Sequence, residues 1–449
     1  MSTRRLGAAL AAAAAVACAS SAHAGANEGD AALARGDYAT AVAEYRPAAE
    51  AGDPDAQVGM SKLYGGGWGV VRDDRIAAQW LLRAVEKNHA HAQALLGMAY
   101  GTGAGVPHDD VESFRWFDRA AMQGDALGRY GLGYAYFSGL GVAQDQALGC
   151  RLFLQSANQG ERLAMSKIGY CYDTGEGLPQ DRAAAIGWYR RGAALGVRDA
   201  FYKLGRALEE GYDGPPDPAA AAVQYQKAAD RGLSFAQNSL ALLYENGRGV
   251  PVDTARAVAL YQQAAAQGND VAEDNLGQLY LQGYGVPRDL TMAREWFLKS
   301  AAHGNVKAAN YLGAIYSGGY ESGLKDPVQA EKWTRIAANN GYPWALFRMG
   351  ELYWSGFGVP VDASQAVAWY RKAAEKGQLY AELRLAAAYH DGRGVAADPA
   401  AACDWIKRAA AAVKAMQASS AASATSVPVT SEPADYEAAA RRNCPVPGP

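Results

Sequence analysis

A motif that returns at a fixed interval along a chain leaves few folds open to it. Here the interval is 36 residues, seen most clearly in Asn269 to Gly304, and copies begin at Asp53, His89, Asp125, Glu161, Val197, Leu233, Asn269, Asn305, Tyr342 and Gln378. The copy that starts at Asn305 carries one inserted residue. A unit of this size is one supersecondary element that cannot bury its apolar face alone, so successive copies must stack into a solenoid.

Within the Asn269 copy, Ala272, Leu276, Gly277, Leu279 and Tyr280 fall at helical spacing and predict one buried stripe on a first helix. Gly283, Gly285 and Pro287 end that helix and reverse the chain. Asp289 stands where an N-cap belongs, a second helix follows through Ala293, Trp296, Phe297 and Ala301, and Gly304 closes it. Helices this short are marginal in water and need their neighbours. The cap aspartate recurs in every copy, as Asp73, Asp109, Asp145, Asp181, Asp217, Asp253, Asp289, Asp326, Asp362 and Asp398. The first-helix tyrosine and the second-helix tryptophan recur in most, and with the leucines they are expected to supply the core. Asp213 in place of a loop glycine and Gln224 in place of the tryptophan mark the fifth copy as the least regular.

The pattern A-x3-LG-x-LY-x2-G-x-GV-x2-D-x3-A-x2-WY/F-x2-A resembles the Sel-one-like repeat family, longer-period relatives of tetratricopeptide repeats, over residues 53–413. The resemblance implies an all-α fold: a right-handed α/α superhelical solenoid of ten 36-residue helix-turn-helix repeats, with the first helix of each pair on the concave side. It also implies a scaffold or adaptor, and in bacteria periplasmic regulators and exopolysaccharide-secretion scaffolds. It licenses a class of function, not a partner.

Residues 1–24 combine Arg4 and Arg5, an alanine-rich run and a small-residue ending at Ala22-His23-Ala24, the layout of a cleaved secretory signal with Gly25 as the new N-terminus. Arg4-Arg5 leaves a twin-arginine route open, and Ala15-Val16-Ala17-Cys18 is a poor lipoprotein box. The expected location is therefore periplasmic or secreted. No other stretch approaches the length of a transmembrane segment. Loss of the two arginines moves the formal charge from −3 to −5, which speaks against nucleic acid as a partner. Residues 25–52 read as an N-terminal capping helix pair, with Gly36-Asp37-Tyr38 as its turn and Ala41, Tyr45 and Ala48 buried. Residues 414–449 read as a low-complexity linker and tail, with a short helix around Tyr436 to Arg442.

In an oxidising compartment the four remaining cysteines are compatible with two disulfides, Cys150 to Cys171 and Cys403 to Cys444, or with four thiols; the choice depends on geometry. The glycine runs at Gly65-Gly66-Gly67 and Gly101-Thr102-Gly103 are turns between helices, not nucleotide loops. His89 and His91 lack the carboxylates or thiols that would complete a metal site, and no nucleophile with its base can be assembled, so neither cofactor, metal nor catalytic residue is assigned.

The expected function is a non-enzymatic scaffold that binds a protein or peptide partner in the cell envelope. The alternative is a carbohydrate-binding module or a cell-wall or β-lactam-directed enzyme. First-helix positions two before, two after and five after the LG leucine share one face that stack packing leaves open. In the third copy these are Tyr130, Tyr134 and Phe137; Tyr170, Tyr202 and Arg206 extend the row, and Phe347, Glu351 and Trp354 form a second patch. Aromatic and arginine side chains are the usual anchors of interfaces. Basic or apolar neighbours would mark such a row as a peptide groove, and acidic ones as a sugar site.

Overall fold

The computed structural model describes residues 25–320 and 322–422, and every regular element among them is a helix. The chain divides into two compact units, one up to Arg231 and one from Gly232. The first holds α1 (25–34), α2 (Tyr38–Glu50), α3 (Pro54–Gly66), α4 (Asp74–Glu86), α5 (Ala90–Thr102), α6 (Asp110–Met122), α7 (Ala126–Ser138), α8 (Gln146–Asn158), α9 (Arg162–Thr174), α10 (Arg182–Ala194), α11 (Arg198–Glu210) and α12 (Pro218–Ala229). The second holds α13 (Ser234–Asn246), α14 (Thr254–Ala265), α15 (Asp270–Gln282), α16 (Leu290–Ala302), α17 (Val306–Tyr316), α18 (Pro327–Asn339), α19 (Pro343–Ser355), α20 (Ala363–Glu375), α21 (Leu379–Asp391) and α22 (Pro399–Ala422). From α3 onward each odd-numbered helix is the first of a copy and the next its second. Within a unit each helix packs on the one before and after, and first helices also touch across copies, as α5 with α7 and α9 with α11.

Each recurrent aspartate caps a second helix. Asp289 Oδ1 accepts the Met292 N–H at 2.9 Å, while the Asp289 N–H donates to the Tyr280 carbonyl at 2.9 Å. That second bond recurs from every cap aspartate, to the residue nine positions earlier in nine copies and ten earlier at Asp326 in the copy with the inserted residue, so the cap also ties the second helix to the end of the first. The loop between them leans on the preceding copy. Gly105 has φ +76°, and a Cβ there would lie 1.9 Å from the Asp74 carbonyl oxygen at the start of α4.

The tryptophans are not the core, contrary to the sequence expectation. They are half-buried, and most carry a cation from three residues on: Arg119 lies 4.7 Å from the Trp116 ring and Lys299 4.0 Å from the Trp296 ring. The buried aromatic is the residue after the tryptophan position, as Tyr189, Phe297 and Tyr370, and as Phe153, Tyr225 and Tyr261 in copies where the tryptophan itself is replaced. Its seat is the LG glycine of the first helix, since a Cβ at Gly277 would meet the Phe297 ring at 2.6 Å. Where this residue is tyrosine its hydroxyl donates inward to a carboxylate, as Tyr225 to Glu209 and Tyr261 to Glu245, each at 2.7 Å.

The eighth copy, rather than the fifth, departs furthest from the pattern. α17 ends early at Ser317, whose hydroxyl donates to the Gly313 carbonyl at 2.6 Å, and the extra residue is taken up by a 3₁₀ turn at Ser322–Leu324. In the fifth copy Asp213 is held by Arg190 of the preceding copy at 2.6 Å, and α11 still ends on a left-handed Gly211.

Cys150 on α8 and Cys171 on α9 are joined in a buried disulfide. Cys403 is not a free thiol, while Cys444 lies outside the described residues. α1 and α2 form a helix pair with Ala41, Tyr45 and Ala48 buried against α3. At the other end α22 continues to Ala422, into the alanine-rich stretch read as linker. The signal-like segment and the helix expected around Tyr436 lie outside the described residues.

Candidate functional site

On α7 the register i, i+4, i+7 brings Tyr130, Tyr134 and Phe137 to one face, but they meet different surroundings. Tyr130 sinks against Phe153 of α8, with ring centroids 5.9 Å apart, and burial pushes its hydroxyl up to about 12. Phe137 also rests on Phe153 and meets the edge of Tyr170 on α9 at 6.1 Å. Tyr134 is 40% exposed. Together Tyr134, Phe137, Phe153 and Tyr170 line a cleft of about 350 Å³, completed by Ser138, Ser166, Lys167, Asp199 and Lys203.

Lys167 and Lys203 occupy the same register position in successive copies, on α9 and α11. Each ammonium lies over a ring of the preceding copy, Lys167 at 4.9 Å from the Tyr134 centroid and Lys203 at 5.0 Å from that of Tyr170. Burial first, then the nearby Arg206 and Lys167, lower the pKa of Lys203, against the opposing pull of Asp173 and Asp199. Among the described residues no carboxylate forms an ion pair with either lysine. Asp199, the one carboxylate in the lining, is paired with Arg198 at 3.2 Å. Ser166 Oγ is buried with no hydrogen-bond partner among the described residues.

Of the six residues expected in this row, the structure places Tyr134, Phe137 and Tyr170 in the cleft, with Tyr130 alongside it. Tyr202 and Arg206 are outside its lining: Tyr202 tilts against Tyr225 at 5.8 Å, and Arg206 pairs with Glu210 at 2.8 Å. Sequence reasoning missed Lys167, Lys203 and Phe153. Alignment of the copies held the signal for the lysines, which fall 36 residues apart, one before the LG leucine position.

In the second unit, Phe347 packs on Tyr370 at 5.8 Å, and Trp354 lies under Arg393 at 4.0 Å. Glu351 is engaged within the fold, accepting from the Tyr370 hydroxyl at 2.5 Å and Arg384 at 2.7 Å. The outward rings of this patch are instead Trp344, 47% exposed, and Tyr380, whose centroids are 5.5 Å apart. Both sit in the first turn of their helix, a position that sequence reasoning did not weigh.

His89 and His91 pair with carboxylates of neighbouring copies, His89 with Asp55 at 3.0 Å and His91 with Asp125 at 3.2 Å. Burial pushes Asp125 up, but hydrogen bonds from His91 and the Gly128 N–H outweigh it and hold the carboxyl below its usual range. Among the described residues no group of three His, Cys, Asp or Glu side chains could hold a metal ion. No helix among them is long and apolar enough to cross a membrane.

The Sel1 repeat profile matches residues 54–89, 90–125, 126–161, 162–197, 199–233, 234–269, 271–305, 306–342, 345–378 and 379–412. The chain belongs to the Sel1 repeat family. Its members are typically scaffolds for protein–protein interaction, and their solenoid is generally non-catalytic. Among solved structures, this Sel1 repeat chain is similar to a protective antigen present in uropathogenic Escherichia coli strains that displays the same fold, at 30% identity over 90% of this chain and 87% of the other, with a TM-score of 0.65. A Sel1 repeat protein from Oxalobacter formigenes is 31% identical over 66% of this chain and 89% of its own, with a TM-score of 0.46. No protein with a curated description matches the chain.

Proposed function

We propose that the chain is an exported, non-enzymatic scaffold of the cell envelope, periplasmic or secreted, that holds a segment of a partner protein on the first-helix face of the third to fifth copies. The observation that carries this reading is the cleft on α7, α9 and α11, where exposed and half-buried rings stand beside two lysines that form no ion pair with a carboxylate among the described residues. The rings have both basic and acidic neighbours, the two lysines as well as Asp199 and Glu176, which accepts from the Tyr170 hydroxyl at 3.0 Å; what favours a peptide over a sugar is the occupancy of the ring faces. An ammonium already lies over each tyrosine, where a sugar ring would otherwise stack. Export is supported by the signal-like N-terminus and by a buried disulfide, a bond that persists in oxidising compartments. The similar Escherichia coli protein is a protective antigen, which fits an exported relative.

The test is capture of a partner from envelope extract by the mature chain, with the partner identified by mass spectrometry. Tyr134→Ala with Tyr170→Ala is expected to abolish capture. It should shift the melting temperature by only a few degrees, about what is expected from trimming rings that are not core. Undiminished capture by the folded double variant would remove the assignment.

A further inference from the structure

The cleft is a charge as well as an apolar surface. Lys167 and Lys203 stand one copy apart on adjacent first helices, roughly 10 Å for a packed helix layer. Both ammoniums lie over tyrosine rings, and both lysines are half-buried. A partly desolvated cation without an ion-paired anion is an electrostatic demand that the more distant Asp173 and Asp199 meet only in part, because removal from water weakens its hydration without replacing it. Phe137 and the Tyr170 ring line the same cleft as the two lysines, together with the Ser166 hydroxyl, which has no hydrogen-bond partner among the described residues.

Resting on the reading of this cleft as a partner site, we propose that its ligand is an acidic peptide segment, two carboxylates flanking an apolar side chain. The spacing follows from backbone geometry. In an extended polyproline-type segment, residues i and i+3 point the same way about 9 Å apart, which matches one helix layer. One carboxylate then reaches Lys167 and the other Lys203. The apolar side chain lies on Phe137, and a peptide amide or carbonyl meets Ser166 Oγ. Asp199 pulls on Lys203 only at longer range, since its carboxylate forms an ion pair with Arg198 at 3.2 Å and none with the lysine. A basic segment would face two lysines unaided and is excluded by the same charges. A polyuronate shares the carboxylates but needs an open ring face to stack on, and an ammonium lies over each tyrosine.

The probe is a short fluorescein-labelled peptide with glutamates at positions i and i+3 around a phenylalanine, titrated by fluorescence anisotropy into the full mature chain. Its glutamine counterpart and an oligouronate serve as comparators. The glutamate peptide is expected to bind at least about tenfold more tightly than the glutamine one, with the advantage shrinking as salt rises. Lys167→Gln with Lys203→Gln should erase that advantage, and Lys167→Arg with Lys203→Arg should keep it. The melting curves of both variants should be close to the parent's, because neither lysine forms an ion pair and a cation over a partly exposed ring contributes only about 0.5–1 kcal/mol. Equal binding of the two peptides, no binding of either, or preferential binding of the oligouronate would each overturn the proposal. Envelope-partner capture that survives in the Lys167→Gln, Lys203→Gln variant would overturn it while leaving the scaffold reading intact. Capture that survives Tyr134→Ala with Tyr170→Ala would instead remove the scaffold reading at this cleft.

Discussion

Replacing Phe297 by alanine is expected to cost roughly 3–5 kcal/mol in urea melts, whereas the same change at the larger Trp296 should cost only about 1–2 kcal/mol. The ordering inverts what side-chain size alone suggests. Phe297 is 0% exposed, stacks on Tyr311 with centroids 4.7 Å apart, and seats on Gly277, so its removal leaves a cavity that the helix backbones on either side cannot close. Trp296 is half-buried under Lys299, and its indole N–H is buried without a partner, a donor whose loss relieves a desolvation penalty. Asp289→Ala belongs between them in kind but at the low end in size, about 1 kcal/mol for a lost cap. A larger loss at Trp296 than at Phe297 would mean that α16 is rotated from the orientation described.

Gly105→Ala is expected to cost about 3–5 kcal/mol, the sum of a left-handed backbone carrying a side chain and of overlap with a neighbouring backbone. At φ +76° the new Cβ would fall 1.9 Å from the Asp74 carbonyl oxygen, and a peptide group cannot swing away as a side-chain end can. Gly160→Ala is the control. It has φ +93° but nothing within 4 Å of its Cβ position, so only the backbone penalty of about 1–2 kcal/mol applies. The difference between the two measures the contact between one copy's loop and the preceding copy's second helix. Equal losses would show that this contact contributes nothing.

What could be read from sequence followed the range of each interaction. Caps and loop glycines are local chemistry, and the aspartates and left-handed glycines stand where the repeat pattern puts them. Trp296 and Phe297 are adjacent in sequence but about 100° apart around the helix, and which of them turns inward is set by Gly277 on the facing helix. The eighth copy was misjudged for a similar reason. A substituted loop residue such as Asp213 can be satisfied by an ion pair, whereas an inserted residue must be accommodated by backbone. At the site, rings were visible because packing did not call for them. Lysines in the same face read as solvated charge until their ammoniums are seen lying over Tyr134 and Tyr170. Glu351 was the converse, a polar residue on a face read as open whose carboxylate is taken up by Tyr370 and Arg384. The joining of Cys150 to Cys171 needed the relative placement of α8 and α9, which spacing alone does not contain.

A partner seated in the cleft between α7, α9 and α11 is tested most directly by proximity. A photo-crosslinking amino acid is introduced in living cells in place of Tyr134, and separately in place of Arg115, an exposed residue on the second helix of the copy before. The account predicts a covalent adduct to one discrete protein from position 134, lost when Lys167 and Tyr170 are also replaced by alanine, and none from position 115. Adducts of equal yield from both positions, or from position 115 alone, would contradict it.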